Sequence, residues 1–171
     1  MKKSFLLAAA AAAAFTVGLS GCSKKTDGKI KIGIIQLVEH PALDANYRGF
    51  VDGLAEAGYE NGKNISIDYQ NAQNEQANCA TIAQKFINDQ DDLIFAIATP
   101  AAQAVANLTK NIPVVVSSVT DPESAKLVKS NAKPETNVTG TSDLTPCEAQ
   151  IGLLKKIVPD AKTVGMLYCS N

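Results

Sequence analysis

Apolar residues along the chain follow two patterns, one typical of strands and one typical of helices. Residues 93–98 form a continuous apolar run of the kind expected of a strand buried on both faces. Residues 43–54 repeat their apolar side chains every three or four positions, which predicts a helix with one buried face. That face comprises Leu43, Tyr47, Phe50, Val51 and Leu54.

The two patterns alternate from residue 29 onwards and are joined by short connections. The predicted strands are residues 29–37, 65–69, 93–98, 112–118, 138–141 and 162–168. A helix is predicted between each pair of consecutive strands except the fourth and fifth, and the last helix has an apolar face of Cys147, Ile151, Leu154 and Val158. Strands that alternate with helices build a doubly wound parallel α/β sheet. The sixth strand ends the chain without a helix to cover it, as in a truncated chain.

Capping residues mark where several of these helices begin or end. Asp44 is placed to cap the first helix, and Gly58 to close it in a left-handed conformation. After the third strand, Thr99 stands at the N-cap position and Pro100 at the first helical position. Such a junction directs free backbone N–H groups toward the carboxyl edge of the sheet, where open α/β proteins usually bind ligands.

The first 28 residues are predicted to direct export rather than to form part of the fold. Lys2 and Lys3 precede an Ala-rich apolar stretch that is too short for a comfortable membrane span. The sequence LSGC at residues 19–22 resembles the lipobox of bacterial lipoproteins, in which the Cys is diacylated and becomes the mature N-terminus. We expect a signal peptide at residues 1–21, lipidation of Cys22 and a flexible tether at residues 22–28. The alternative is an ordinary secretory signal that ends by chance at a Cys.

Composition excludes some classes of function. The 171 residues are 46% apolar, which is enough for one domain with a substantial core. The net charge is −1 and no basic block occurs, so nucleic acid is not an expected partner. Trp is absent and only 5% of residues are aromatic, which disfavours a stacking platform for bases or sugars.

The remaining cysteines do not indicate a metal site. Cys79 and Cys147 fall on apolar helix faces, which predicts buried roles as small hydrophobic residues, and Cys169 ends the sixth strand. A disulfide is permitted outside the cytoplasm, but three thiols beyond Cys22 leave an odd number and no spacing typical of metal ligands. We expect neither a metal nor a cofactor.

Several motifs occur together in a fixed order along the folded part of the chain. They are KIGIIQLVEHPALD at residues 31–44, GFVDGL at 49–54, ATPAAQ at 98–103, VTDPESA at 119–125 and GTSD at 140–143. Together they resemble the ABC-transporter substrate-binding lipoproteins of the tryptophan/tyrosine-binding type. The resemblance covers residues 29–171.

This resemblance implies a type I periplasmic-binding-protein-like fold, with two Rossmann-like lobes around a ligand cleft in a longer chain. Residues 29–143 would form the first lobe, and residues 144–171 the crossover helix and opening strand of an incomplete second lobe. Family ligands are aromatic amino acids, and the lobes are expected to close around them. Because half of the cleft would be missing, we expect the 171-residue chain alone to bind poorly.

An amino acid offers a carboxylate and an ammonium group, and the predicted carboxyl edge offers candidates for both. The Thr99 hydroxyl and the N–H groups of Ala101 and Ala102 suit the carboxylate. The ammonium needs an acceptor, and Asp121 and Asp143 both follow strand ends.

Asp121 is favoured slightly, because the turn Thr120-Asp121-Pro122 is placed at the cleft, and Thr120 is included with it as a ligand contact. Either Asp could instead be a turn or helix cap. Glu39 and Gln36 are further ligand-binding candidates, since they lie at the exit of the first strand. His40 lies there as well, but no nucleophile or metal-ligand set accompanies it, so we expect a rim or solvated residue.

The leading hypothesis is a lipid-anchored, extracytoplasmic solute-binding protein that delivers an aromatic amino acid to an ABC permease. One alternative is a ligand-sensing lipoprotein receptor without transport. A more distant alternative is an exported enzyme on a flavodoxin-like fold, against which no phosphate loop, nucleophile elbow or carboxylate pair is found.

Overall fold

The computed structural model describes residues 28–167, which contain five strands and four helices. The strands are β1 Ile30–Gln36, β2 Ile65–Asn71, β3 Leu93–Ile97, β4 Val114–Val119 and β5 Val138–Ser142. The helices are α1 Pro41–Glu56, α2 Gln76–Asn88, α3 Thr99–Leu108 and α4 Cys147–Ile157. The first five predicted strands and all four predicted helices are therefore confirmed, with small differences at their ends.

The five strands form one parallel sheet in the order β2-β1-β3-β4-β5. Helix α1 packs its apolar stripe on one face, against residues that include Ile34, Phe95 and Ile97. Helices α2 and α3 pack on the other face, against residues that include Ile94 and Val116. The doubly wound parallel sheet is thus confirmed. The strand order reverses between β1 and β3, so the ends of these two strands form the topological switch point.

Helix α1 begins earlier than its sequence predicts. His40 is the N-cap, with its Nδ1 accepting a hydrogen bond from the Ala42 N–H at 3.2 Å, and Pro41 is the first helical residue. The expectation that Asp44 caps this helix is wrong, because Asp44 lies within the first turn. A carboxylate there still interacts favourably with the positive end of the helix dipole. His40 is exposed, as expected of a rim residue, but it also has this structural role.

Helices α1 and α2 both end with a left-handed residue, but the residue types differ. Gly58 closes α1 with a φ of +85°, and the next N–H, that of Tyr59, donates to the Leu54 carbonyl at 2.8 Å. The predicted closure at Gly58 is confirmed. At the end of α2 the left-handed residue is Gln90, with a φ of +57°. The residue after it, Asp91, is buried against the sheet.

The two cores are filled by different side chains. On the α1 face, the rings of Phe50 and Phe95 stack with centroids 4.0 Å apart. On the opposite face, Cys79, Ala83 and Phe86 of α2 are fully buried. The predicted burial of Cys79 is therefore confirmed, and burial raises the pKa of its thiol.

Helix α4 has no buried residue, and its apolar side chains face solvent. Cys147 is exposed, so its predicted burial is wrong. Ile151 and Ile157 are 49% and 69% exposed, because no other element of residues 28–167 covers the apolar face of this helix. Among the described residues, no helix is long and apolar enough to cross a membrane. Cys22, Cys169 and the predicted signal peptide lie outside the described part.

The predicted sixth strand is also wrong as far as residue 167. Residues 161–167 form no strand, and Met166 and Leu167 are 85% and 101% exposed. A strand is defined by backbone hydrogen bonds to a neighbouring strand, and nothing in residues 28–167 pairs with this segment. The apolar residues of this segment are therefore not enough to make it a strand.

Candidate functional site

The carboxyl ends of β1, β3 and β4 lie side by side at the switch point. The N–H of Leu37, just after β1, donates to the Ile97 carbonyl at the end of β3 at 3.3 Å. The N–H of Ala98 donates to the Ser117 carbonyl of β4 at 3.0 Å. Residues that follow these three strands therefore share one edge, which we call the carboxyl edge.

Gln36 is buried at this edge, beneath the start of α1. It has no exposed surface, and its Nε2 donates to the Val38 carbonyl at 2.9 Å and to Asp44 Oδ1 at 2.6 Å. Its Oε1 is buried without a hydrogen-bond partner. The sequence makes Gln36 a ligand-binding candidate, and in the structure both donors of its amide are used inside the protein. A ligand-binding role for Gln36 stays a prediction.

An irregularity in β4 directs the hydroxyls of two consecutive residues, Ser117 and Ser118, toward the same helix. Pairing with β5 runs from Val116 opposite Gly140 to Val119 opposite Ser142, which leaves one extra residue in β4. One extra residue in one of two paired strands defines a β-bulge, and bulges redirect side chains near functional sites. Within it, Ser118 has a φ of +54°.

The side chain of Asn46 in α1 forms hydrogen bonds with both of these hydroxyls. Its Nδ2 donates to Ser118 Oγ at 2.7 Å and to the Ala42 carbonyl at 3.0 Å, and its Oδ1 accepts from Ser117 Oγ at 3.0 Å. Thr141 Oγ1 reaches Ser117 Oγ at 3.5 Å from β5. Consecutive residues of a regular strand face opposite sides, so the bulge is what brings both serines to Asn46.

Helix α3 starts one residue earlier than predicted. Ala98 is the N-cap and offers no capping side chain, so the prediction that Thr99 is the N-cap is wrong. The N–H of Ala102 therefore already donates to the Ala98 carbonyl, at 3.0 Å, and the expected free N–H at Ala102 does not exist. Ala101 precedes this first helical bond, so its N–H remains a candidate. Both alanines lack exposed surface, and Thr99 is half-buried.

Ala98 itself has an unusual backbone conformation. Its φ of +83° and ψ of 152° lie in a region that is normally reserved for glycine and costs other residues about 1–3 kcal/mol. The conformation turns the chain sharply from β3 into α3. Such strain is concentrated at functional sites, and here it lies beside the switch point.

Asp121 uses its carboxylate to hold its own loop. Oδ1 accepts from the Glu123 N–H at 3.1 Å and from Asn131 Nδ2 at 2.9 Å, and Oδ2 accepts from Ser124 Oγ at 2.5 Å. The hydrogen bonds from Ser124 and Asn131 lower the pKa of this carboxyl. The geometry is that of a turn cap, the alternative interpretation given above, and a ligand role for Asp121 remains untested.

The other residues predicted to bind ligand at this edge are exposed and make few hydrogen bonds. Thr120 is exposed, and its carbonyl accepts from Ser142 Oγ at 2.6 Å. Asp143 and Glu39 are exposed. Asp143 does not cap α4, whose N-cap is Pro146 without a side-chain hydrogen bond. The ligand-binding roles of Thr120, Asp143 and Glu39 remain predictions.

Two tyrosines lie near the carboxylates of Asp44 and Glu39 at this edge. The rings of Tyr47 and Tyr69 have centroids 4.6 Å apart. Burial raises the pKa of Tyr69, the negative charges of Asp44 and Glu39 add to that effect, and a hydrogen bond with Asn71 opposes it.

The amino edge of the same sheet carries charges that pair with one another. Lys85 Nζ forms ion pairs with the carboxylates of Asp68 and Asp89, the second at 2.7 Å, and these bonds raise the pKa of Lys85. Asp91 is 8% exposed, and its Oδ2 has no hydrogen-bond partner. Burial, with the negative charges of Asp89 and Asp68, raises the pKa of Asp91 to about 6. In residues 28–167 no group of three or more His, Cys, Asp or Glu side chains could hold a metal ion.

Sequence reasoning missed the residues that hold the carboxyl edge together. Asp44 was assigned to a cap, while Asn46, Ser117 and Ser118 were not singled out. Their signal was weak but present, since two serines interrupt an apolar strand. The contact between Asn46 and Ser118 spans 72 positions and cannot be found from a local pattern.

Comparisons with known proteins agree with this architecture. Residues 31–171 match a family model described as ABC transporter substrate binding protein. A tyrosine-binding protein of Clostridioides difficile is 48% identical over 163 residues, which cover 88% of this chain and 47% of that protein.

Two solved structures resemble the chain closely. One is the ligand-free, open form of a substrate-binding protein with adhesive properties from Clostridium difficile (54% identity, TM-score 0.73, covering 78% of this chain and 45% of that one). The other is an ABC domain in complex with L-Trp from Streptococcus pneumonia (44% identity, TM-score 0.73, covering 77% and 44%). The chain thus spans about half the length of the relatives that it matches. The predicted type I periplasmic-binding-protein-like lobe is confirmed.

Proposed function

Because the chain belongs to the family of ABC transporter substrate-binding proteins, we propose that it forms one lobe of a receptor for an aromatic amino acid. The relatives support this ligand class, since one is described as tyrosine-binding and another was solved with L-Trp. The second wall of the cleft would come from the half of the relatives' length that this chain does not match. The proposed activity is reversible binding, without a catalytic step.

The observation that carries this proposal is the chemistry of the carboxyl edge. Hydroxyl, amide and carboxylate groups from β1, β4 and α1 converge at the switch point, where doubly wound proteins bind small molecules. The amino edge instead pairs its charges internally. A small zwitterion needs donors and acceptors close together, and the carboxyl edge presents both.

In this account the ligand's carboxylate binds at the start of α3. The Thr99 hydroxyl is not used for capping, and the Ala101 N–H precedes the first helical hydrogen bond. Both groups are therefore available to an anion, with the positive end of the helix dipole behind them. Ala101 is buried, so contact with its N–H requires a small opening of the junction.

Calorimetry on the full-length protein tests the proposal. L-tryptophan or L-tyrosine should bind, and Thr99→Val should weaken that binding about tenfold, the effect of one charge-assisted hydrogen bond. Because Thr99 is not the cap, thermal stability should change little. Thr81→Val, on the exposed side of α2, is the matched control and should leave affinity unchanged. No binding of either amino acid would contradict the proposed ligand class.

We further propose that Cys22 anchors the receptor at the outer face of a bacterial membrane, where an ABC permease would accept the ligand. The LSGC sequence and the preceding apolar stretch support this location. Cys22→Ala should abolish partitioning of the full-length protein into detergent. A variant that partitions like the wild type would contradict the lipid anchor.

A further inference from the structure

Asp44 is an anchored carboxylate with one oxygen unengaged. It lies in the first turn of α1, and its N–H donates to the His40 carbonyl at 2.9 Å. Its Oδ1 accepts from Gln36 Nε2 at 2.6 Å, whereas no described residue donates a hydrogen bond to Oδ2. The residue is half-buried, so this oxygen belongs to the carboxyl edge and not to the core.

Gln36 fixes the orientation of that carboxylate. Both donors of its amide are used, one on Asp44 and one on the Val38 carbonyl. Rotating the amide by half a turn would place Oε1 against two acceptors, so only the observed orientation is favourable. In that orientation Oε1 is buried without a partner, which is energetically unfavourable. A polar group kept in the core at this cost has a positioning role that an apolar residue would not have.

The other polar groups of this edge are less suited to accept a ligand's positive charge. The amide of Asn46 is fully engaged with Ala42, Ser117 and Ser118. The carboxylate of Asp121 already accepts three hydrogen bonds within its own loop. Glu39 and Asp143 are exposed, and no side-chain hydrogen bond to another described residue fixes them.

Among residues 28–167, no Lys, Arg or His side chain forms an ion pair with Asp44. Lys63, Lys85, Lys129 and Lys133 each form an ion pair with a carboxylate other than that of Asp44. A half-buried carboxylate without a cation gains more from a bound ammonium group than an exposed one does, because water screens it less.

From these observations we propose that Asp44, positioned by Gln36, is the acceptor for the ammonium group of the bound amino acid. This inference rests on the proposed function and names the residue that recognises one end of the ligand. It replaces Asp121 as the favoured acceptor. The ligand would then lie between the Asp44 carboxylate and the start of α3, across the switch point.

The test compares ligands that differ only in the ammonium group. Calorimetry on the full-length protein would use L-tryptophan with indole-3-propionate, and L-tyrosine with 3-(4-hydroxyphenyl)propionate. Asp44→Asn should weaken binding of the amino acid about 10- to 100-fold, as expected for a hydrogen bond to a charged group. Binding of the propionate should not weaken, because that ligand has no ammonium to lose. Asp52→Asn, on the exposed face of the same helix, should change neither affinity.

A second variant tests the positioning role of Gln36. Gln36→Met keeps the volume but removes both donors, and it should weaken binding of the amino acid about tenfold while sparing the propionate. Equal losses for both ligands in Asp44→Asn would overturn the inference, since they would indicate general damage to the site. Unchanged amino-acid binding in Asp44→Asn would also overturn it, and the proposed function would stand. Absence of amino-acid binding in the wild type would overturn both.

Discussion

Each edge of the sheet buries a polar side chain that has an unpartnered oxygen, Gln36 at the carboxyl edge and Asp91 at the amino edge, and the chemistry of these two groups differs. At the carboxyl edge the group is the neutral amide of Gln36, which orients a carboxylate. At the amino edge it is the ionisable carboxyl of Asp91, which lies near Asp68 and Asp89. An amide costs the same at every pH, whereas an acid can relieve its burial by taking up a proton. The buried amide of the carboxyl edge therefore adds no pH dependence of its own, whereas the buried carboxyl of the amino edge couples stability to pH.

The largest expected effect is the pH dependence that Asp91 imposes. Its pKa rises from 3.8 to about 6 on folding, so the folded state holds the proton more tightly than the unfolded state. The free energy of unfolding should therefore fall as pH rises from about 4 to about 6, by up to about 3 kcal/mol. In Asp91→Asn this fall should be missing, as measured by urea unfolding of the full-length protein at several pH values.

Asp52→Asn serves as the control, because Asp52 is an exposed residue of α1. It should keep the pH dependence of the wild type. If Asp91→Asn also keeps it, the account of the amino edge is wrong.

A methyl group added at Gly33 should disturb the same edge by packing alone. A Cβ there would lie 2.6 Å from Asp91 Oδ2 and 2.6 Å from the ring of Phe86. Overpacking of this kind costs about 1–3 kcal/mol, so Gly33→Ala should lower the free energy of unfolding by about 2 kcal/mol. Gly53→Ala in α1, where a Cβ meets nothing within 4 Å, should raise it by about 0.5–1 kcal/mol. Changes of the same sign in both variants would contradict this geometry.

The smallest expected effect compares backbone strain at the two edges. Ala98→Gly relieves a conformation that favours glycine and should stabilise the protein by about 1 kcal/mol. Gln90→Gly, at the amino edge, relieves only the milder strain of an ordinary left-handed conformation, so it should stabilise the protein less. Ala104→Gly, within α3, should destabilise by about 1 kcal/mol. Thermal unfolding measures all three, and a loss of stability in Ala98→Gly would contradict the assigned strain.

A feature could be predicted from sequence when the residues that form it lie close together in the chain. The strand at residues 93–98 and the left-handed closure at Gly58 follow from local patterns, and both are confirmed. Residues 161–167 also contain apolar side chains, but a strand needs a partner strand, and they form none within the described part of the chain. At α3, a shift of one residue in the cap removed the expected free N–H of Ala102.

The site was the least predictable part for the same reason. A local pattern locates the carboxyl edge, because strand ends and helix starts are visible in sequence. The bonds that shape it join residues that are distant in sequence, such as Asn46 to Ser117, which are 71 positions apart. A bulge in β4 brings them together, and a run of apolar residues ending in two serines does not reveal it.

Nuclear magnetic resonance of the isotope-labelled full-length protein tests the central claim most directly, because it reports both edges in one titration. Saturation with L-tryptophan or L-tyrosine should shift the backbone amide signals of Ala98, Thr99 and Ala101, and those of Ser117 and Ser118, at the carboxyl edge. The signals of Asp68, Lys85 and Asp91 at the amino edge should stay in place. Shifts confined to the amino edge, or a carboxyl edge that does not respond to a bound amino acid, would contradict the account.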